Sequence, residues 1–142
     1  MYAFDVRAAA KEQAESAGAK FIEISTGEEG SAAGGYAKEM SPEWFEMARK
    51  TLLEQCKTTD VIISTAMIPG KKAPVLISKE MIEVMPAGSV TIDLAAEAGG
   101  NIETTKPEHV TKHGSVTCVG YTNLPARMAS TASTLFGSNV TN

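Results

Sequence analysis

The chain has 142 residues, of which 43% are hydrophobic and 21% are charged, and these values suit one soluble globular domain with a single core. A formal net charge of -4 argues against nucleic acid or an anionic membrane surface as the main partner. No apolar stretch approaches the roughly 20 residues that span a bilayer. The N-terminus resembles neither a secretory signal nor a transit peptide, so we expect any targeting signal to lie elsewhere.

Short apolar runs alternate with amphipathic segments along the chain. Ser41 and Pro42 predict the start of one helix, and Gly18 predicts the end of another. The predicted strands cover residues 2–6, 21–24, 60–66, 89–94 and 116–121. The predicted helices cover residues 7–17, 42–57, 78–85 and 124–141, and the predicted loops cover 25–40, 67–77 and 95–112. This alternation predicts an α/β fold with a parallel sheet and helices on both of its faces.

The residues that follow the predicted strands are the informative ones, because ligands of open α/β sheets bind at the edge where the parallel strands end. They are Asp5–Arg7, Thr65–Met67, Asp93–Asn101, and Tyr121 with Thr122.

Asp5 is the first candidate for a binding residue, because it lies at the end of the opening strand. An acidic residue at this place in a dinucleotide-binding fold accepts hydrogen bonds from the adenosine ribose and repels a 2′-phosphate, which selects NAD over NADP. The plainer interpretation is an N-cap for the following helix. The glycine fingerprint GxGxxG, which would favour the ribose role, occurs nowhere in the chain, so both interpretations remain open.

The glycine-rich segment 25–40 is the second candidate. Long loops without secondary structure are uncommon in compact domains and often act as lids. Gly34 and Gly35 would act as hinges, and Tyr36 offers an aromatic ring that would cover a ligand. The alternative is a surface loop with no binding role.

Other polar residues give weaker signals. Asp93, Glu97 and Asn101 follow a strand, and they either bind a ligand or cap backbone groups, which is the commoner role. His109 and His113 lie four residues apart without the context of a zinc site, so we expect no metal.

Several common chemistries have no motif in the chain. A GxSxG elbow, a P-loop and a CxxC pair are all absent, so no motif supports a hydrolase, an NTPase or a dithiol enzyme. Cys56 and Cys118 are far apart in sequence, and we interpret both as reduced core residues. From the residues alone, the pattern predicts a nucleotide-binding α/β domain.

Five segments carry a resemblance to a known family, and together they cover nearly the whole chain. They are FDVRAAAKEQ (4–13), GGYAKEMS (34–41), STAMIPGKKAPVLISKEMIE (64–83), GSVTIDLAAEAGGNIETTKP (88–107) and VGYTNLPARMASTASTLF (119–136). These segments resemble the NAD(H)-binding first component of proton-translocating nicotinamide nucleotide transhydrogenase. The GGYAKEM loop is the most specific of them, because it resembles the mobile loop that distinguishes transhydrogenases from alanine dehydrogenases of the same general fold.

The resemblance implies a Rossmann-like NAD(H)-binding domain. In this family, hydride passes from NADH to NADP⁺ on a separate component, coupled to proton movement through a membrane component. The cofactors carry the chemistry, so we expect no catalytic side chain. The resemblance also implies a homodimer and, from the wording of several segments, the matrix side of the mitochondrial inner membrane. The cytoplasmic face of a bacterial plasma membrane is the alternative location.

The resemblance also implies roles for single residues. Asp5 matches the ribose-binding acid, the 65–67 strand end matches a wall of the site, and the tyrosine loop matches a flap that closes on nucleotide. The implied NAD(H)-binding residues are Asp5, Val6, Arg7, Gly35, Tyr36, Thr65, Ala66 and Met67.

The chain departs from the family pattern in what it lacks. The glycine-rich phosphate turn, the first subdomain and the first, central strand of the sheet are missing, so we interpret residues 1–142 as the C-terminal part of an NAD-binding domain, truncated before that strand and turn. We expect the chain alone to bind NADH weakly or not at all, and to have no transhydrogenase activity.

Two other interpretations stay open. An alanine dehydrogenase-like oxidoreductase would form NADH from alanine without a second nucleotide component, although GGYAKEM speaks against it. A non-catalytic nucleotide-binding or interaction module would agree with the missing phosphate turn.

Overall fold

The computed structural model describes residues 1–24 and 40–141. Strands and helices alternate in the predicted order, so the protein has an α/β fold. The strands are β1 (Tyr2–Ala3), β2 (Lys20–Phe21), β3 (Val61–Ser64), β4 (Val90–Asp93), β5 (Val110–His113) and β6 (Val116–Val119). The helices are α1 (Ala8–Ser16), α2 (Pro42–Cys56), α3 (Lys79–Glu83), α4 (Leu124–Arg127) and α5 (Ala129–Thr141), with a 3₁₀ turn at Ala96–Ala98.

The described strands form two separate sheets. β1 and β2 pair in parallel, and the larger sheet has the order β3-β4-β6-β5. Within it β3, β4 and β6 are parallel, whereas β5 runs antiparallel to β6. The prediction of a loop throughout residues 95–112 is therefore wrong at its end. The two-residue turn Gly114-Ser115 joins β5 to β6, and the φ of 57° at Gly114 is typical of a tight hairpin turn.

The register of the larger sheet separates a buried face from a more exposed one. Thr91 pairs with Ile62 on one side and with Cys118 on the other, and Thr91 and Cys118 are both buried. The next row faces the opposite way, and there Ile63 is 62% exposed. Helices α2 and α3 pack on the buried face. The main core contains Leu52, Cys56, Ile77, Met81, Ile82, Met85, Ile102, Val116 and Cys118.

Helix α2 begins where the sequence predicts. The N–H of Trp44 donates to Oγ of Ser41 at 3.1 Å, and Pro42 occupies the first turn, where its missing N–H is harmless. The buried residues recur every four positions along one face, which is the spacing of a single helical stripe. They are Trp44, Ala48, Leu52 and Cys56.

The same helix connects the two sheets. Leu52 and Cys56 belong to the main core, while Trp44 and Ala48 form a second core with Met40. Phe4 and Val6, which follow β1, pack against that second core. The rings of Phe4 and Trp44 stack with their centroids 5.7 Å apart. Since α2 contacts both sides, it holds the β1 region against the rest of the domain.

The C-terminal segment forms two helices, where the sequence predicts one helix over residues 124–141. The chain breaks at Met128, whose φ of -126° and ψ of 46° lie outside the helical region. Helix α5 has no buried residue, and Leu135 and Phe136 are exposed. Of the helices that the structure describes, none combines the length and apolar character needed to cross a bilayer.

Candidate functional site

A cavity of about 540 Å³ lies between the edge strands of the two sheets. Residues 2–7 form one wall, and residues 61–68 form the other. Leu52 and Cys56 of α2 also line the cavity. The two strand ends that the sequence singles out therefore share one cavity. The predicted binding residues that line it are Asp5, Val6, Arg7, Thr65, Ala66 and Met67.

Asp5 and Arg7 form a closely bonded pair at the end of β1. The backbone N–H and the Nε of Arg7 donate to Oδ1 of Asp5 at 2.9 and 3.0 Å. Nη2 of Arg7 donates to Oδ2 at 2.7 Å. This two-point contact between guanidinium and carboxylate fixes the orientation of both groups. The Asp5 side chain remains 29% exposed, so a ligand in the cavity has access to it.

The pair sets the charge state of Asp5. Burial raises the pKa of this carboxyl, but the hydrogen bonds and positive charge of Arg7 outweigh that effect and lower the pKa below its usual 3.8. Asp5 is therefore ionised at neutral pH. An ionised carboxylate accepts hydrogen bonds and donates none, which suits it to hold sugar hydroxyls.

The interpretation of Asp5 as a helix N-cap is wrong. The residue before α1 is Arg7, and it makes no side-chain cap hydrogen bond. The Asp5 carboxylate instead accepts the N–H of Arg7, two residues further on, as Asp residues do in Asx turns. Asp5 thus orients Arg7 at the cavity, and no contact that satisfies helix α1 accounts for it.

The end of β3 is held from below by Asn101, which is completely buried. Its Oδ1 accepts hydrogen bonds from Oγ of Ser64 and from the N–H of Ala66, both at 2.9 Å. Its Nδ2 donates to the carbonyls of Ala66 and Pro74, both at 2.8 Å. All four bonds of the amide are used, so the wall formed by the end of β3 rests on a fixed buried group.

Asp93 supports that amide from the end of β4. Its Oδ1 accepts the N–H of Ala95 at 3.0 Å. Its Oδ2 accepts the N–H groups of Asn101 and Ile102 at 2.8 and 3.0 Å, and the hydroxyl of Thr105 at 2.8 Å. The expectation that Asp93 and Asn101 bond to backbone groups is confirmed. Their joint action on the end of β3 was missed, because it links residues 35 apart in sequence.

The adjacent glycines explain how the chain reaches Asp93. Gly99 and Gly100 have φ angles of 105° and 80°, which side chains rarely adopt. A Cβ on Gly100 would lie 2.8 Å from Oδ2 of Asp93. The Gly-Gly pair, a weak signal in the sequence, thus marks the turn that brings Asn101 into the core. The neighbouring Glu97 is exposed and takes no part in these bonds.

The remaining candidates lie apart from this cavity or outside the described residues. Gly35 and Tyr36 fall within residues 25–39, which the structure does not describe, so the flap interpretation stays a prediction. In the described ranges, no cluster of three or more His, Cys, Asp or Glu side chains could hold a metal. Cys56 and Cys118 are free and buried, and burial raises the pKa of the Cys56 thiol to about 11.

Comparison with known proteins identifies the family. The family model "Alanine dehydrogenase/PNT, C-terminal domain" matches residues 1–142. The first of the separate chains that make up NAD(P) transhydrogenase subunit alpha in Rhodospirillum rubrum is 52% identical over 143 aligned residues, which cover 99% of this chain and 37% of the relative. A crystal structure of transhydrogenase from Sinorhizobium meliloti is 41% identical with a TM-score of 0.77, covering 98% of this chain and 36% of that chain.

The alanine dehydrogenase branch matches less of the chain. Alanine dehydrogenase 1 of Staphylococcus aureus (strain Mu50) is 52% identical over 58 residues, which are 41% of this chain and 16% of that protein. The present chain spans little more than a third of the Rhodospirillum relative, at 37% of its length. The resemblance noted in the sequence is confirmed, and the chain belongs to the alanine dehydrogenase/PNT family, whose C-terminal domain it matches from end to end.

Proposed function

We propose that this chain forms the C-terminal part of the NAD(H)-binding domain of a transhydrogenase, and that the dinucleotide lies across the cavity between the two sheets. The observation that carries the proposal is the shared cavity of Asp5 and residues 65–67. In doubly wound folds a dinucleotide binds across the crevice beyond the strand ends, with one mononucleotide half on each side. Asp5 would hold the adenosine ribose on the β1 side, and the end of β3 would receive the other half.

The residues at the cavity agree chemically with a dinucleotide lacking a 2′-phosphate. The Asp5 carboxylate is ionised and accessible, so it accepts bonds from ribose hydroxyls and repels an added phosphate. Arg7 lies next to it, and arginine near this position binds the 2′-phosphate in NADP enzymes. Here the Arg7 guanidinium is bonded to Asp5, which disfavours that use. The pair therefore favours NADH over NADPH.

The further assignments come from the kinship with transhydrogenase subunits. NADH supplies the hydride, and NADP⁺ on a separate component accepts it, coupled to proton movement through a membrane component. No side chain of this chain acts as a proton donor, and Gly35 and Tyr36 belong to the flap. We propose a homodimer in the assembled enzyme. Its place is the matrix side of the mitochondrial inner membrane or the cytoplasmic face of a bacterial plasma membrane, and the bacterial relatives favour the second.

The alternative activity is that of an alanine dehydrogenase, which a local identity of 52% over 58 residues supports. The transhydrogenase relative matches 99% of the chain, so we prefer transhydrogenase. The alternative predicts that NADH forms from alanine and NAD⁺ without a second nucleotide component. A non-catalytic module predicts that no nucleotide binds even when the rest of the domain is supplied.

The test uses a hybrid protein, in which these 142 residues replace the matching segment of the Rhodospirillum relative. Isothermal titration with NADH and NADPH should show tighter binding of NADH. The substitution Asp5→Asn should weaken NADH by about 10- to 100-fold, as expected for a hydrogen bond to a charged group. Asp60→Asn is the matched control, because it removes the same charge from an exposed residue at the opposite end of β3.

The outcomes separate the hypotheses. Equal affinity of the unmodified hybrid for NADH and NADPH would remove the basis for the role of Asp5. Equal effects of Asp5→Asn and Asp60→Asn would mean that net charge, and no specific contact, governs affinity. For the chain by itself we expect weak or undetectable NADH binding.

A further inference from the structure

Asn101 replaces a missing stretch of β-sheet pairing at the end of β3. The last backbone bond between β3 and β4 runs from the N–H of Leu94 to the carbonyl of Ser64, at 2.8 Å. Beyond it, the chain after β4 turns into the 3₁₀ segment Ala96–Ala98 and leaves Ala66 without a neighbouring strand on that side. The Asn101 side chain bonds to both the N–H and the carbonyl of Ala66, as a strand would.

The same residue also closes the loop that follows. Its Nδ2 donates to the carbonyl of Pro74, and its backbone carbonyl accepts the N–H groups of Leu76 and Ile77 at 2.9 and 3.0 Å. Both ends of the segment 66–77 are therefore attached to Asn101. The orientation of the amide is fixed by its partners, because only Oδ1 can accept from Ala66 and only Nδ2 can donate to two carbonyls.

These contacts leave the neighbours of Ala66 free to face the cavity. Thr65 and Met67 are exposed and line it, and Met67 is 58% exposed. Along an extended chain, alternate residues point to opposite sides, so fixing Ala66 toward Asn101 directs its two neighbours the other way. A wall that is already ordered loses less conformational entropy when a ligand binds.

We propose that Asn101 is a positioning residue for the β3 side of the cavity, and that it pre-orders residues 65–67 to receive the half of the dinucleotide that does not contact Asp5. The inference rests on the proposed function, which places a dinucleotide in this cavity. It assigns Asn101 no contact with the ligand, since the side chain is completely buried and its bonding capacity is used.

The geometry predicts an effect on one half of the ligand. The orientation of Asp5 comes from its bonds with Arg7, on the opposite wall from the Asn101 network. A ligand that contains only the adenosine half should therefore be insensitive to Asn101. A ligand that spans both walls should lose affinity when residues 65–67 become disordered. General destabilisation of the domain would weaken both ligands together.

The experiment measures the affinities of NADH and 5′-AMP for the hybrid and three variants by titration calorimetry. Asn101→Asp keeps the shape of the side chain and removes both donor bonds, and Ser64→Ala removes one donor to Oδ1 while leaving Ala66 intact. Thr105→Val is the control, because it removes a bond to Asp93 on the far side of the network. Hydrogen exchange at the amide of Ala66 reports the order of the wall directly.

We expect Asn101→Asp to weaken NADH about tenfold and 5′-AMP less than about twofold, with a smaller change in the same ratio for Ser64→Ala. Exchange at Ala66 should accelerate in both. Thr105→Val should lower the melting temperature and leave the ratio of the two affinities unchanged. Should Asn101→Asp fail to fold, the Ser64→Ala ratio decides.

Two results would overturn the positioning role. One is an unchanged ratio of affinities in both Asn101→Asp and Ser64→Ala, and the other is an equal change of that ratio in Thr105→Val. Failure of the unmodified hybrid to bind either nucleotide would instead overturn the proposed function, and the positioning role with it. The unmodified hybrid thus distinguishes failure of the site from failure of the inference.

Discussion

Replacement of Asp93 by asparagine tests the buried network that supports the end of β3. Four donors converge on this carboxylate, and Asp93 is only 1% exposed. Asparagine has one acceptor oxygen in place of two. The amide oxygen would take the place of Oδ2, where three donors meet, and the NH₂ group would then face the N–H of Ala95.

The magnitude follows from this loss. A buried N–H without a partner costs about 1–3 kcal/mol, and the three retained bonds lose their charge-assisted strength. Removal of a buried charge partly offsets these terms. We therefore expect the free energy of unfolding to fall by about 2–3 kcal/mol, a large part of the roughly 5–15 kcal/mol of a typical domain. For a chain of this length, the melting temperature should fall by about 6–12 °C.

The assay is urea and thermal unfolding followed by circular dichroism. Glu97→Gln is the matched control, because Glu97 is exposed, lies in the same turn, and makes no bond to the network. Its effect should stay within about 0.5 kcal/mol. If Asp93→Asn is no more destabilising than Glu97→Gln, the four bonds to Asp93 do not stabilise the fold.

Three shorter predictions concern single side chains. Oγ1 of Thr91 is buried without a hydrogen-bond partner among the described residues, so Thr91→Val should raise the free energy of unfolding by about 1 kcal/mol in urea titrations, and a decrease would contradict this reasoning. Arg7 lowers the folded-state pKa of Asp5, so the stability this pair contributes is present above pH 3.8 and is lost as the pH falls through the lowered pKa. Asp5→Asn should flatten that acid limb, and an unchanged limb would argue against the pair. Since Cys56 and Cys118 are buried and the pKa of Cys56 is raised to about 11, neither thiol should react with Ellman's reagent at neutral pH before unfolding, and rapid labelling of the native protein would refute this.

Signals that depend on neighbouring residues made much of this structure predictable. The start of α2 follows from Ser41 and Pro42, which satisfy or tolerate the free N–H groups of the first turn. The meeting of Asp5 with residues 65–67 follows from the rule that parallel strands end at one edge. That rule needs only the positions of the strand ends, which survive errors of a few residues in strand boundaries.

Features that depend on distant contacts were not predictable from the residues alone. The hairpin of β5 and β6 was missed, because β5 is a four-residue edge strand following a long irregular segment. The role of Asn101 depends on Ala66 and Pro74, which lie 35 and 27 residues away. Nothing in the sequence around Asn101 distinguishes it from an exposed turn residue, apart from the two preceding glycines.

The two walls of the cavity are held by different means, and α2 relates one to the other. The β1 wall has a strand of two residues, and its position depends on the contact of Phe4 with Trp44. The β3 wall belongs to the larger sheet, whose core includes Leu52 and Cys56 of the same helix. A helix rises about 1.5 Å per residue, so Trp44 and Cys56 lie roughly 18 Å apart along one rigid element. The separation of the walls is therefore set by the packing of α2, while Asp5 and Asn101 set the chemistry and the order of each wall.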